Sequence, residues 1–142
     1  MRESVASIVD TDVFSVLYLK PGARDPRTTD WLEQLAGRRV VIAFQTRAEV
    51  LAGARIRGWG ERRTEETLRA LDRTPTIYPD GDVVEAYASL VAACQRIGHA
   101  LHDKRHTGDR WIAACAIAKR LDLVAGDSIY EGAPDLKLGT HG

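Results

Sequence analysis

Residues 6–14, Ala6-Ser7-Ile8-Val9-Asp10-Thr11-Asp12-Val13-Phe14, decide how the rest of the chain is read. The small, apolar and β-branched run before Asp10 predicts a short strand covered on both faces, because branched side chains suit a buried pleated surface. Asp10 then stands at the C-terminal end of that strand. In open α/β sheets ligands bind along that edge, so a carboxylate placed there is a candidate site residue. The same acid is also a good helix N-cap, since Asp10, Thr11 and Asp12 all cap well and Val13, Phe14, Val16 and Leu17 follow in helical spacing. The stretch alone leaves both readings open.

Working outward, that helix is expected to run to Leu19 and stop at Lys20-Pro21-Gly22, before a polar connector over residues 23–27. A second helix follows over residues 27–35, with Thr28 or Thr29 as its cap. Residues 39–44 form the second strand, and residues 45–56 are helical by period. A strongly charged helix over residues 61–72 comes next, then a short strand at Thr76-Ile77-Tyr78. Residues 82–97 make a long amphipathic helix closed by Gly98. After a basic loop with three histidines, Thr107-Gly108-Asp109 opens a helix of small apolar residues that must be covered on most sides. Leu123-Val124-Ala125 is a strand followed by Gly126-Asp127-Ser128, and Leu136-Lys137-Leu138 a short edge strand. Strands alternating with helices give an α/β fold with a mainly parallel sheet.

The 142 residues are expected to form one domain, with 44% hydrophobic and 28% charged residues typical of a soluble globular protein. Twenty basic and twenty acidic side chains cancel. No overall positive charge advertises nucleic-acid binding, so such contact must come from a local patch or from bound metal. Cys94 and Cys115 lie inside apolar helical patterns with no metal-ligand company, as expected of buried, reduced thiols in a cytoplasmic protein. No signal peptide or membrane span is visible.

Four acids occupy comparable places: Asp10 after the first strand, Glu49 in the helix after the second, Asp109 in the first turn of the small-residue helix, and Asp127 after the fourth strand. Each has an ordinary explanation: a solvated helix residue, a helix N-terminus partner, a turn former. Together they line one rim of a parallel sheet. Two carboxylates about 4 Å apart repel by roughly 4 kcal/mol at an effective dielectric near 20, so such a cluster holds protons or a cation. Oxygen-only donors select Mg²⁺ or Mn²⁺ over Zn²⁺, and the matching substrate is an anionic phosphodiester attacked by an activated water. The histidines His99, His102 and His106 fit solvated or RNA-contacting roles better than zinc ligation. Arg47, Lys104, Arg105 and Arg110, close to the rim in sequence, are candidates for neutralising RNA phosphates. Gly53, one turn after Glu49, could leave room for water or an RNA backbone.

The Val9-Asp10-Thr11-Asp12-Val13 segment, the helix 48–54 and the block from Asp109 to Asp127 resemble, in order and over nearly the whole chain, the PIN-domain ribonucleases, and among them the VapC-type toxins of toxin–antitoxin pairs. The resemblance implies a PIN-like α/β/α sandwich and a metal-dependent endoribonuclease cutting single-stranded RNA. It also implies a homodimer whose acidic site is covered by a cognate antitoxin. Residue by residue, Asp10, Glu49, Asp109 and Asp127 match the acidic quartet that holds Mg²⁺ or Mn²⁺, Thr11 matches a small hydroxyl residue beside the first acid, and Asp12 is an accessory acid acting through water. The chain departs from the pattern at Ala125, where the family commonly has Thr or Ser, and the hydroxyl of Ser128 is the candidate replacement.

Two alternatives stand beside it. Asp10-Thr11-Asp12, Thr46 and Gly126-Asp127 imitate a haloacid-dehalogenase-like phosphatase, in which Asp10 would attack phosphorus covalently. That reading leaves Glu49 and Asp109 without roles. The other alternative is a catalytically inactive PIN-like binding module.

Overall fold

The computed structural model describes residues 5–20 and 24–140. Four parallel strands, β1 (Ala6–Val9), β2 (Arg39–Ala43), β3 (Thr76–Ile77) and β4 (Asp122–Val124), form a sheet in the order β3-β2-β1-β4. The register sets Ile8 beside Val41 and Leu123, and Val9 beside Ile42 and Val124. Because strand side chains alternate between faces, these two rows enter opposite cores.

One face carries Ile8, Val41, Ala43 and Leu123 against α5 (Gly81–Ile97) and α6 (Thr107–Lys119). In α6, residues Ile112 to Ala116 are all buried, as the small-residue pattern required. Cys94 and Cys115 are fully buried free thiols in this layer. The other face carries Val9, Ile42 and Val124 against α1 (Thr11–Phe14), α2 (Thr28–Leu35), α3 (Phe44–Ile56) and α4 (Glu61–Asp72). The result is an α/β/α sandwich in which the C-terminal ends of β1, β2 and β4 point toward the same rim.

Three local expectations change. The helix after β1 keeps α geometry for one turn and widens into a π turn over Ser15–Leu19. The wider turn lets Val16, Leu17 and Leu19 all lean on the core, while Tyr18 emerges against Phe14 with ring centroids 5.3 Å apart. Of its expected stop, Pro21 and Gly22 lie outside the described residues. The α2 helix begins at Thr28 with no side-chain cap bond, so neither threonine caps it. Residues 136–138 run parallel beside β4 through the single bridge Leu123–Leu138 rather than as a full edge strand. No helix among the described residues is long and apolar enough to cross a membrane.

Candidate functional site

Asp10 satisfies both readings of its sequence at once. Its N–H pairs with the Val124 carbonyl of β4 at 3.2 Å, its Oδ1 accepts from Val13 N at 2.9 Å as the cap of α1, and its Oδ2 accepts from Gly126 N at 2.9 Å. Two neighbouring strands and the first turn of a helix thus hold one carboxyl group at the rim. It is only 3% exposed. Burial, partly offset by the two backbone hydrogen bonds and reinforced by the charges of Asp12 and Asp109, pushes its carboxyl up to about 6.

Asp109 enters from the first turn of α6. Its Oδ1 accepts from the Tyr130 hydroxyl at 3.1 Å, and its Oδ2 lies 3.0 Å from His106 Nδ1. Because a carboxylate can only accept, Nδ1 carries the proton of that bond. Tyr130 is buried beneath the acids, and desolvation followed by the charges of Asp109, Asp10 and Glu49 drives its hydroxyl far above the ordinary phenol range. It remains a donor at every physiological pH. The charges of Asp10, Glu49 and Asp109 thus all reach this one phenol.

Glu49, on α3, is fixed from two sides. Gln45 Nε2 donates to its Oε1 at 3.0 Å, and Thr11 donates to its Oε2 while standing 3.0 Å from the buried Thr46 hydroxyl. Two glycines make room for this crowd. A Cβ on Gly108 would sit 2.8 Å from Glu49 Oε1, and one on Gly126 would collide with the Asp12 carboxylate. Asp12 itself is half-exposed and takes the guanidinium of Arg27 at 3.0 Å. Arg27 also donates to the Gly126 carbonyl and to Asp25, and lies over the Trp31 ring at 4.6 Å.

Asp127 is placed differently. It is exposed, and its Oδ1 caps the 3-10 turn Ser128–Tyr130 by accepting from Ile129 N. Ser128 is likewise exposed. Among the described residues no group of three or more His, Cys, Asp or Glu side chains is arranged so that it could hold a metal ion.

The basic candidates divide. Arg110 is corrected: it is buried, and its donors go to Tyr87, Thr107 and the carbonyls of Leu101, His102 and Asp103, leaving none for a phosphate. Arg47 is engaged by Asp72 at the end of α4. Lys104 and Arg105 are exposed before α6, with Arg105 3.3 Å from Asp103. His99 is a turn former whose Nδ1 accepts from Leu101 N, so neither it nor His106 is a free loop histidine. The space over Gly53 is taken by the Arg57 guanidinium, 2.7 Å from where its Cβ would stand.

Sequence reasoning missed Tyr130, Gln45 and Arg27, and read Thr46 only in the phosphatase alternative. Gln45 carried a usable signal, being one helical turn before Glu49 on the same face. Tyr130 and Arg27 carried none, because their partners lie 21 and 99 residues away.

The same fold is found in chains of VapBC2 from Rickettsia felis, solved bound to a DNA fragment from their promoter. There the TM-score is 0.75 at 21% identity, covering 94% of this chain and 97% of that one. FitAcB from Neisseria gonorrhoeae gives 0.71 at 21% identity over 94% and 96% of the two chains. VapBC-5 of Mycobacterium tuberculosis, a member of the VapBC family of toxin–antitoxin systems, gives 0.65 at 23% over 94% and 97%. No curated protein matches the chain in sequence. Residues 7–135 match the PIN domain family, a span that starts in β1 and ends past Tyr130, and the chain therefore belongs to the PIN domain family.

Proposed function

We propose that the protein is a metal-dependent endoribonuclease of the VapC toxin type, hydrolysing phosphodiesters of single-stranded RNA and restrained by a cognate antitoxin. The observation that carries this reading is the buried Asp10 carboxyl, raised to about 6 by burial and by the charges of Asp12 and Asp109. The donor set fits Mg²⁺ or Mn²⁺. It is all oxygen, and such ions keep several waters and bind through one or two carboxylates. Asp10 and Asp109 are the residues that would hold such an ion, with Glu49 close by and Asp127, which caps through Oδ1, offering its other oxygen. When bound, the ion supplies positive charge against the phosphate and acidifies water.

The chain's own groups do the rest. Tyr130 and His106 fix the Asp109 carboxylate, and the backbone amides of Val13 and Gly126 fix Asp10. Glu49, accepting from Thr11 and Gln45, is an oriented carboxylate able to take a proton from water. Asp12, held out by Arg27, adds negative charge that favours a cation in the pocket. Complexes of similar fold contain toxin and antitoxin, which supports a protein inhibitor seated over this rim. The outward position of Asp127 favours a second reading, an RNA-binding module without cleavage.

One assay separates them. Cleavage of a mixed single-stranded RNA pool is expected with Mn²⁺, lost in EDTA, and lost again in Asp10→Asn. Binding without cleavage under all conditions selects the module, and equal cleavage in all three removes the metal.

A further inference from the structure

Beside the acidic site the surface changes sign. A groove of about 300 Å³ has Thr11 and Glu49 at one end and Lys20, Arg57, Trp59 and Arg63 along its course. It shares Lys20 and Arg63 with a larger hollow of about 760 Å³ between the π turn and the start of α4. The basic groups of the two hollows differ in their partners, and Glu61 and Glu66 also line the larger one. On α4, Arg62 pairs with Glu66 and Arg69 with Glu65, but among the described residues neither Arg57 nor Arg63 forms an ion pair. Both guanidinium groups are instead gathered on one half-buried indole, Arg63 3.7 Å and Arg57 5.8 Å from the Trp59 ring. Two exposed arginines brought to one aromatic ring present two positive charges and a flat face on the same stretch of surface.

We infer that this groove carries the single-stranded RNA as it leaves the acidic site, Arg57 and Arg63 meeting successive phosphates and the Trp59–Arg63 stack receiving a base. The inference rests on the ribonuclease reading and adds the path and polarity of its substrate. The chemistry agrees with what unpaired strands require: a cationic groove for the backbone and a flat π or guanidinium surface for bases. Charge complementarity also selects this occupant over an acid-poor protein segment. Phosphates flanking the cut face repulsion from Asp10, Asp12 and Glu49, and the groove, lined by Glu49 together with Arg57 and Arg63, supplies cations next to that site.

The test is the affinity of the full chain for a short fluorescent single-stranded RNA, read by anisotropy in EDTA across a salt series, alongside cleavage of the same RNA with Mn²⁺. Removing both charges, Arg57→Ala with Arg63→Ala, is expected to weaken binding about tenfold. It should also lower the slope of log affinity against log salt by roughly 1.4, two phosphates at about 0.7 each. Trp59→Ala is expected to weaken binding about tenfold, and Trp59→Phe to stay within about threefold because the stacking face survives. The Phe variant, with Arg57→Lys and Arg63→Lys, guards against a folding artefact. If the wild type cleaves RNA while the Ala variants bind it unchanged, the groove assignment falls and the nuclease reading stands. If the wild type neither binds nor cleaves, the nuclease reading fails and takes the groove with it. Loss of antitoxin binding with RNA binding intact makes the groove a protein-docking surface and overturns the inference.

Discussion

Asp10 shows what a functional position costs a fold. Two backbone N–H groups donate to it, yet burial beside Asp12 and Asp109 still raises its carboxyl from 3.8 to about 6. Below pH 4 the folded and unfolded chains both hold the proton. Between about pH 4 and pH 6 the unfolded chain releases it while the folded one retains it, so stability is lost as pH rises, and the loss is complete above the folded value. The shift corresponds to about 3 kcal/mol. Urea unfolding in EDTA is expected to show wild type losing stability relative to Asp10→Ala by about that amount from pH 4 to pH 7; a difference independent of pH would refute the buried, uncompensated carboxyl. A second residue-scale prediction concerns Gly108, whose missing Cβ leaves room for Glu49 and Gln45. Gly108→Ala should push the Glu49 carboxylate aside and cut RNA cleavage at least about tenfold, while favouring the helix by up to roughly 1 kcal/mol. Unchanged cleavage would show that Glu49 needs no fixed position. Asp10 was legible because a strand end and a cap can be read from nine consecutive residues. The environment that makes it reactive was not, since two of its charged or hydrogen-bonding neighbours, Asp109 and Gly126, are remote in sequence.

At the scale of elements, α6 explains why adjacency in sequence misleads. Asp109 and Arg110 are neighbours, and reading them together suggested an acid and a phosphate-binding base on one rim. Successive helical residues point about 100° apart, so Asp109 faces the site and Arg110 turns inward. There it ties Leu101, His102 and Asp103 to α5 through Tyr87 and to α6 through Thr107. The loop before α6 is therefore a pair of capped 3-10 turns delivering His106 to Asp109 rather than a free basic loop. Arg110→Met keeps much of the volume but orphans three carbonyls, and is expected to cost roughly 2–4 kcal/mol in urea unfolding. The same change should reduce cleavage further than stability accounts for, because Asp109 loses its oriented histidine. A cost under about 1 kcal/mol would mean that the loop is held by other contacts. The helices themselves were largely readable, α4 with the same bounds and α3 within one residue, because their period and breakers are local. The π turn after Phe14 was not, since its cause is contact with the core.

Across the whole molecule, the parallel sheet carries Asp10 and Asp109, 99 positions apart, close enough that the charge of one raises the carboxyl of the other, and strand alternation with helices was enough to foresee the sheet. Asp127 marks where that inference stops. Beyond the end of a strand no alternation governs where a side chain points, and Asp127, exposed after β4, accepts there from Ile129 N. What remains at the rim is a pocket of like charges under one buried phenol. Any cation that enters relieves repulsion in the folded chain alone, so it must raise stability by mass action. At a Mg²⁺ or Mn²⁺ concentration about ten times its dissociation constant the gain is about 1.4 kcal/mol, a rise in Tm of roughly 5 °C for a chain of this size. At pH 5 the proton on Asp10 competes with the ion, so the same concentration should give a smaller rise than at pH 7.5, and Asp10→Ala should abolish most of it at both. The comparison belongs in buffers matched with NaCl for ionic strength, because general screening also softens carboxylate repulsion. An equal rise with Na⁺, or one indifferent to pH and to Asp10, would place the ion elsewhere on the surface and leave the rim without its cation.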